Sequence, residues 1–281
     1  MKGLIAQLPP PPSGRLGWPW TEETNLEHYR SAPSGGWPKI SIVCPSFQQG
    51  RFIEEAIRSV LLQNYPALEF IVMDGGSDDE TVPILQKYAV WLTHWESQPD
   101  HGQAHALNKG FAKATGEIFG WINSDDYYLP GAFATVGRAA RVGHDVLWSG
   151  NYDDLIGEPP ELRRVHNLPA LAFQVAVGGR TLPSHATFWH RTIHQQFDET
   201  LQFTLDAELF KRFGRCGIRP RHLAQSLAVF RRHPDAKTST LAAVAKSETH
   251  AWFATCPWYY PWLYRLSRLI DRLRRLLHDD K

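Results

Sequence analysis

Apolar and polar positions change their rhythm at Lys39. Before it, some 37 residues rich in Pro, Gly, Ser and Trp show no sustained period, and Pro9-Pro-Pro-Pro12 has polyproline II character. After it, short apolar runs alternate with segments whose apolar residues recur every three or four positions. The pattern predicts strands over 40–45, 68–73, 91–95 and 117–122. Between them it predicts helices over 52–63, 81–88 and 103–114. Strands alternating with helices of this length predict a mostly parallel sheet covered on both faces. From 131 onward the reading becomes α+β: helices over 131–141, 169–177 and 205–213, strands over 145–149, 185–189 and 226–231. Residues 1–38 are read as an extended arm, whose Trp18, Trp20 and Trp37 should lie on the main body rather than in water. Residues 39–234 form one continuous domain, and 235–281 a helical tail.

In such sheets ligands bind beyond the carboxyl ends of the strands. Three polar clusters fall at these ends: Pro45-Ser46-Phe47, Asp74-Gly-Gly-Ser-Asp-Asp79 and Asn123-Ser124-Asp125-Asp126. The last places adjacent carboxylates after an apolar strand with no Lys or Arg beside them in sequence, a pattern that suits a hard divalent cation. The same four residue types also favour turns and helix caps, so the residues alone leave both readings open. Asp74 is similarly poised between accepting an N–H from a nucleobase edge and organising a Gly-Gly turn.

Taken together, Pro45-Ser-Phe-Gln-Gln-Gly50, Ser59-Val-Leu-Leu-Gln-Asn-Tyr-Pro66, Met73-Asp-Gly-Gly-Ser77, Gly102-Gln-Ala-His-Ala-Leu-Asn-Lys-Gly110, Ala114-Thr-Gly-Glu117 and Asn123-Ser-Asp-Asp126 resemble the family 2 glycosyltransferases over about residues 39–232. The resemblance implies a GT-A fold, Rossmann-like, with a nucleotide-sugar half over 39–127 and an acceptor half over 128–234. It implies an inverting transferase that uses a nucleoside-diphosphate sugar, a saccharide or lipid-linked acceptor, and Mg²⁺ or Mn²⁺. Pro45, Ser46, Asp74, Asp100, Gln103, Asn108, Lys109, Asn123 and Ser124 match the donor side. Asp125 matches the metal carboxylate, with Asp126 and His233 as further candidate ligands. Asn123 stands where the family carries the first Asp of its DxD motif. Asp206, in Thr204-Leu-Asp-Ala-Glu208, matches the catalytic base, with Glu208 second. The two lie two apart on a helix and so cannot face the same way. His185 falls on the acceptor-side wall, and His105 stands where relatives carry Asp. The processive polymerases of the family carry a Gln-x-x-Arg-Trp motif that is missing here, so a single addition is expected, in the family's usual setting of cell-envelope polysaccharide assembly.

Composition narrows the alternatives. A net charge of +1 gives no reason to expect nucleic acid, and three cysteines without a CxxC pair suggest neither disulfides nor structural zinc. No run approaches the roughly 18 apolar residues of a membrane span, so a cytoplasmic protein is expected. A nucleotidyltransferase would need a basic Gly-rich loop after the first strand, and Pro45–Gly50 is not one. A non-catalytic or degenerate carbohydrate-binding protein remains the alternative, since 11 Trp supply stacking faces and Asn123 and Leu205 depart from the family pattern. In the tail, Leu263, Leu266, Ile270, Leu273 and Leu277 recur at helical spacing with Arg265, Arg268, Arg272 and Arg275 between them. Such a helix suits peripheral contact with the inner face of a membrane, packing on the domain, or a homodimer.

Overall fold

The computed structural model describes residues 3–157, 160–167, 169–179 and 181–278, without the side chains of 274–278. The arm carries one short helix, α1 (Glu27–Arg30). Four strands then pair in parallel in the order β3-β2-β1-β4: β1 (Ile40–Ser46), β2 (Leu68–Asp74), β3 (His94–Ser97) and β4 (Ile118–Trp121). Parallel pairing requires crossovers. Here α2 (Ile53–Leu61), α3 (Thr81–Tyr88) and α4 (Gln103–Lys113) provide them.

Side-chain alternation along the strands divides the interior into two cores. Ile40, Ile42 and Cys44 of β1 and Phe70 and Val72 of β2 meet Ile53, Ile57 and Val60 of α2. Val43, Ile71 and Met73 point the other way, to Ala104, Leu107 and Phe111 of α4. Helix α4 lies so close that a Cβ on Gly110 would sit 2.4 Å from Val43 Cγ1, which explains the glycine in mid-helix.

Beyond β4 the sheet becomes mixed. β4 pairs antiparallel with β8 (Thr187–His190), β8 antiparallel with β6 (Leu147–Ile156), and β6 parallel with β9 (Arg221–Arg231). The two-residue β5 (Tyr127–Tyr128) closes the edge on β9, and β7 (Glu161–Val165) is a hairpin partner of β6. Helices α5 (Ala132–Ala139), α6 (Ala172–Ala176) and α7 (Leu205–Arg215) cover this half. The tail forms α8 (Lys237–Thr240), α9 (Ala242–Ala254) and α10 (Tyr260–His278). Among the described residues, no helix is long and apolar enough to cross a membrane.

Several boundaries differ from the sequence reading for identifiable reasons. The strand expected over 91–95 begins at His94, because α3 runs on into a 3₁₀ turn, Ala89–Trp91. The strand expected over 145–149 continues to Ile156. Its polar Asp153 and Asp154 are buried there, accepting a hydrogen bond from Ser226 Oγ (2.7 Å) and pairing with Arg232 (2.9 Å) respectively. A 3₁₀ turn, Ser184–Ala186, takes the first half of the strand expected over 185–189.

The arm is pinned by a buried cation. Arg58 of α2 is 1% exposed and donates to the carbonyls of Pro9, Pro19 and Trp20 and to the Tyr88 hydroxyl. Trp20 is buried, Trp18 Nε1 donates to the Tyr128 carbonyl at 2.7 Å, and Trp37 packs edge-on against Tyr29 and Tyr65.

Candidate active site

The carboxyl ends of β1, β2 and β3 lie side by side, with Ser46 in register with Asp74 and Asp74 with Ser97. Asp74 is 2% exposed and organises the turn that follows. Its Oδ2 accepts from Ser97 Oγ (2.6 Å), Ser77 N (2.8 Å) and Gly76 N (3.2 Å), and its Oδ1 from Ser77 Oγ (2.6 Å). A carboxylate offers about four acceptor sites, so one remains on Oδ1. The turn brings Gly75 between two walls: a Cβ there would lie 3.3 Å from the Phe47 ring and 3.1 Å from the Asp100 carboxylate. Phe47 is 59% exposed, and Ser46 Oγ is buried without a partner among the described residues. The absence of a side chain on Gly75 thus lets Phe47 and Asp100 approach its backbone closely, and an exposed aromatic face stands beside open polar atoms at the ends of β1 and β2.

At the end of β4 the two adjacent carboxylates separate. Asp126 turns inward, 1% exposed, where Oδ1 accepts from Arg231 N (2.9 Å) and Oδ2 faces Asn123 Nδ2 (3.4 Å). Burial first, and the neighbouring Asp125 charge second, push its carboxyl well above the usual range. The sequence reading makes Asp126 a reserve metal ligand; in this structure its carboxyl faces inward and bonds within the protein. Asp125 turns outward, and its Oδ2 lies 3.1 Å from His233 Nε2. Two ligands each about 2.1 Å from a cation, at a right angle, stand about 3 Å apart, so this pair fits a shared divalent ion. The mixed O,N donor set suits Mn²⁺ better than the all-oxygen preference of Mg²⁺. The cation missing from the local sequence comes partly from β9. Arg231 Nε donates to the Asp125 carbonyl and its guanidinium pairs with Glu55, leaving the Asp125 carboxylate to His233.

From Asn123 a cavity of about 650 Å³ opens between β4, β6, β9, α7 and the tail helices. Asp206, in the first turn of α7, lines it. Its Oδ1 accepts from Ala207 N at 2.7 Å. Protein atoms crowd the carboxyl, and burial raises it to about 6 against the opposing pull of backbone N–H groups and the Lys211 charge. Glu208 does not line the cavity and is tied to Arg212 at 2.9 Å. His185 does line it, wedged between Tyr152 and Phe230. Burial lowers its pKa to about 3, so the ring is neutral at physiological pH, with Nε2 unpartnered among the described residues.

The other candidate residues divide. Gln103 lines the cavity and donates to Asn123 Oδ1 at 2.7 Å, and Ser124 is buried in the same turn. Asn108 instead clamps the segment before α7 by bonding Phe197 N, Phe197 O and Glu199. Lys109 pairs with Glu96. His105 stacks on His101, and the two form a cluster with Glu199 rather than joining the cavity.

Two residues that sequence reasoning missed come from the tail. Lys237 of α8 reaches back to donate to Gln103 Oε1 at 2.8 Å and feels the charges of Asp125 and Asp100, while desolvation lowers its pKa. Glu248 of α9 covers the start of α7, accepting from Gln202 N (2.6 Å), Phe203 N (3.2 Å), Thr204 N (2.8 Å) and Thr204 Oγ1 (2.9 Å). This remote carboxylate thus holds the three residues that lead into α7 and Asp206.

Comparison with known proteins identifies the family. The family model for Glycosyl transferase family 2 matches residues 41–223. An uncharacterized glycosyltransferase of Mycobacterium tuberculosis is 31% identical over 157 residues, covering 54% of this chain and 58% of its own. The uncharacterized glycosyltransferase EpsJ of Bacillus subtilis is 26% identical over 224 residues, covering 72% and 63%. The chain thus spans less than two thirds of the length of these curated relatives. Among solved structures, S. aureus TarS 1–349 in complex with UDP-GlcNAc superposes with a TM-score of 0.60 at 18% identity, over 72% of this chain and 61% of that one. The mannosyltransferase PcManGT from Pyrobaculum calidifontis, in complex with GDP-Man and Mn²⁺, does so with a TM-score of 0.54 at 19% identity, over 71% and 59%. At such identities the likeness speaks for the GT-A-like fold alone. The match over residues 41–223, more than half the chain, shows that it belongs to glycosyl transferase family 2.

Proposed function

We propose that the chain transfers a sugar, with inversion, from a nucleoside-diphosphate donor to an acceptor hydroxyl, with Asp206 as base. The observation that carries this reading is the placement of Asp206, its carboxyl raised to about 6, on the same cavity as Asn123 at the end of β4. A base poised near operating pH is efficient and still largely ionised at pH 7–8. The acceptor hydroxyl attacks the anomeric carbon from the face opposite the leaving group. Asp206 takes its proton, the bond to the nucleoside diphosphate breaks, and the configuration inverts. The nucleobase lies at the ends of β1 and β2, beside the exposed Phe47 face and Asp74, and the diphosphate runs towards Asn123 and Asp125. A divalent cation, held by Asp125 and His233, would neutralise the departing diphosphate. Neutral His185 faces the acceptor.

The test begins with a melting-temperature panel of UDP, GDP, dTDP and CMP, each with and without Mn²⁺, since a ligand of the folded state alone raises the midpoint by linkage. A metal-dependent rise with one nucleoside diphosphate identifies the donor class, and anomeric configuration of the product, read by NMR, follows. A rise with none of the diphosphates, or a retained configuration, would overturn the reading.

Lys237 supplies a further prediction. Its ammonium stands where the leaving diphosphate's charge develops, so Lys237→Met should lower kcat by roughly 10²-fold, the scale of losing one electrostatic contact made in the transition state. Steady-state kinetics at saturating donor measure it, and an unchanged kcat would remove Lys237 from the reaction.

A further inference from the structure

The inner side of α10 is polar and the outer side is apolar, the reverse of a helix that packs on a hydrophobic core. Ser267 and Asp271 are buried towards α6, where Gln174 Nε2 approaches the Ser267 carbonyl (3.4 Å) and Asp271 Oδ1 (3.1 Å). Contact is close: a Cβ on Gly179 would collide with Ser267 Oγ. On the outer side Trp262 (65% exposed), Leu266 (47%), Leu269 (52%) and Leu273 (52%) stand four, three and four residues apart in one stripe. Trp258 and Tyr259 extend the stripe beyond the helix start, exposed by 83% and 45%. This corrects the stripe read from sequence, because Leu263 and Ile270 are half-buried and Leu269 replaces Ile270 outside. The side chains of Arg275 and Leu277 lie outside the described residues.

We propose that this outer face docks on the surface of an anionic lipid bilayer. Two kinds of observation commit it to lipid. Indole and phenol rings at one end of an exposed leucine stripe match the interface of a bilayer, where such rings have an apolar body and a wet edge. The charge is also one-sided: residues 260–278 hold five Arg and one acid, Asp271, which faces inward. Arg265 and Arg272 adjoin the stripe, and Arg265 lies 5.4 Å over the Trp262 ring. A second copy related by a twofold axis would set arginine against arginine, because such an interface meets its own patch. Anionic headgroups accept that charge.

The location deepens the proposed function and rests on it for its meaning. Tyr264, Arg268 and Asp271, on the other side of the same helix, line the 650 Å³ cavity. A helix lying in the headgroup layer therefore sets the rim of the acceptor cavity at the membrane surface. The matching acceptor class is a hydroxyl carried on a lipid anchor.

Flotation of the full chain with vesicles of pure phosphatidylglycerol and of pure phosphatidylcholine tests the docking without any assay of transfer. The protein should float with the first and not the second, and should detach as salt is raised. Leu269→Glu with Leu273→Glu should abolish flotation without lowering the melting temperature, as both side chains are already in water. Arg265→Gln with Arg272→Gln should weaken it by roughly tenfold or more. Equal binding to both vesicles, or binding that survives the leucine substitutions, would overturn the proposal. So would a dimer in light scattering that those substitutions dissolve in a protein that ignores vesicles, since a second copy would then own the face. Loss of flotation would leave transfer to a water-soluble acceptor intact, whereas failure of the proposed chemistry would leave flotation intact.

Discussion

Replacing Asp206 by Asn should lower kcat by about 10³–10⁴-fold while leaving the melting-temperature rise with the nucleoside diphosphate unchanged. The first part follows from the size of general-base catalysis and the second from the position of Asp206 on α7, outside the turn that follows β2. In the unmodified chain, kcat/KM should rise with pH and level off above about 6, because the base works only when deprotonated. The same carboxyl affects stability with the opposite sign. Its folded pKa, about 6, lies above the ordinary aspartate value of 3.8, so the folded state holds the proton more tightly than the unfolded one. Its contribution is therefore neutral below the unfolded value, turns unfavourable as pH rises from about 4 to 6, and stays so above. At pH 7–8 the ionised carboxylate costs on the order of 2–3 kcal/mol. Asp206→Asn should thus melt higher than the parent at pH 8, with the gap closing towards pH 4. A substitution that abolishes transfer and raises stability marks a group retained for chemistry. If Asp206→Asn transfers sugar within tenfold of the parent, the base lies elsewhere, and Glu208 is poorly placed to replace it because Arg212 holds it.

The parallel half of the sheet was legible because burial on both faces demands mostly apolar runs, and 40–45, 68–73 and 117–122 are such runs, in which the polar Ser41 and Glu69 bond each other. The polar clusters after them stand out against that background, so the carboxyl ends of β1, β2 and β4 could be marked from residues alone. Direction could not be read. Asp125 and Asp126 are neighbours of identical type, and only the pairing of Tyr127 with Val229 and the Arg231 N–H decide which carboxyl is buried. Asp153 and Asp154 misled in the same way: polar residues suggested that the strand had ended, whereas Ser226 and Arg232, more than seventy residues later, satisfy them inside.

Residues far along the chain were the least legible. Lys237 and Glu248 sit in a tail that sequence reading separated from the catalytic domain at Pro234. Yet one reaches Gln103 across 134 positions and the other covers the start of α7 across 44. Neither has a local signature, since an exposed-looking Lys or Glu in a helix is the commonest thing a solvated face carries. Helix α10 shows the limit of periodicity itself. The spacing of its leucines announced an amphipathic helix, but which side docks depended on Gln174 and Gly179, and these draw in the polar side.

The adjacent carboxylates allow a sharp second test. Asp125→Ala should abolish the Mn²⁺-dependent part of the melting-temperature rise with nucleoside diphosphate and lower kcat/KM by about 10³-fold, the scale of several kcal/mol of lost charge stabilisation. Asp126→Asn should keep that Mn²⁺-dependent rise and transfer sugar within about tenfold of the parent. The amide oxygen still accepts from Arg231 N, and burial and the Asp125 charge both push the parent carboxyl's pKa upward, so loss of its charge is the milder change. Its stability should change by about 1 kcal/mol, the net worth of one rearranged hydrogen bond. His233→Ala should behave as a weaker Asp125→Ala, losing one of the two ligands but retaining the carboxylate. These outcomes separate a ligand from a structural neighbour one residue away. Were Asp126→Asn to lose the Mn²⁺ response and Asp125→Ala to retain it, the inward carboxyl would have to turn out on binding. The Arg231 N–H bond that fixes it in this structure would then be one that the donor breaks.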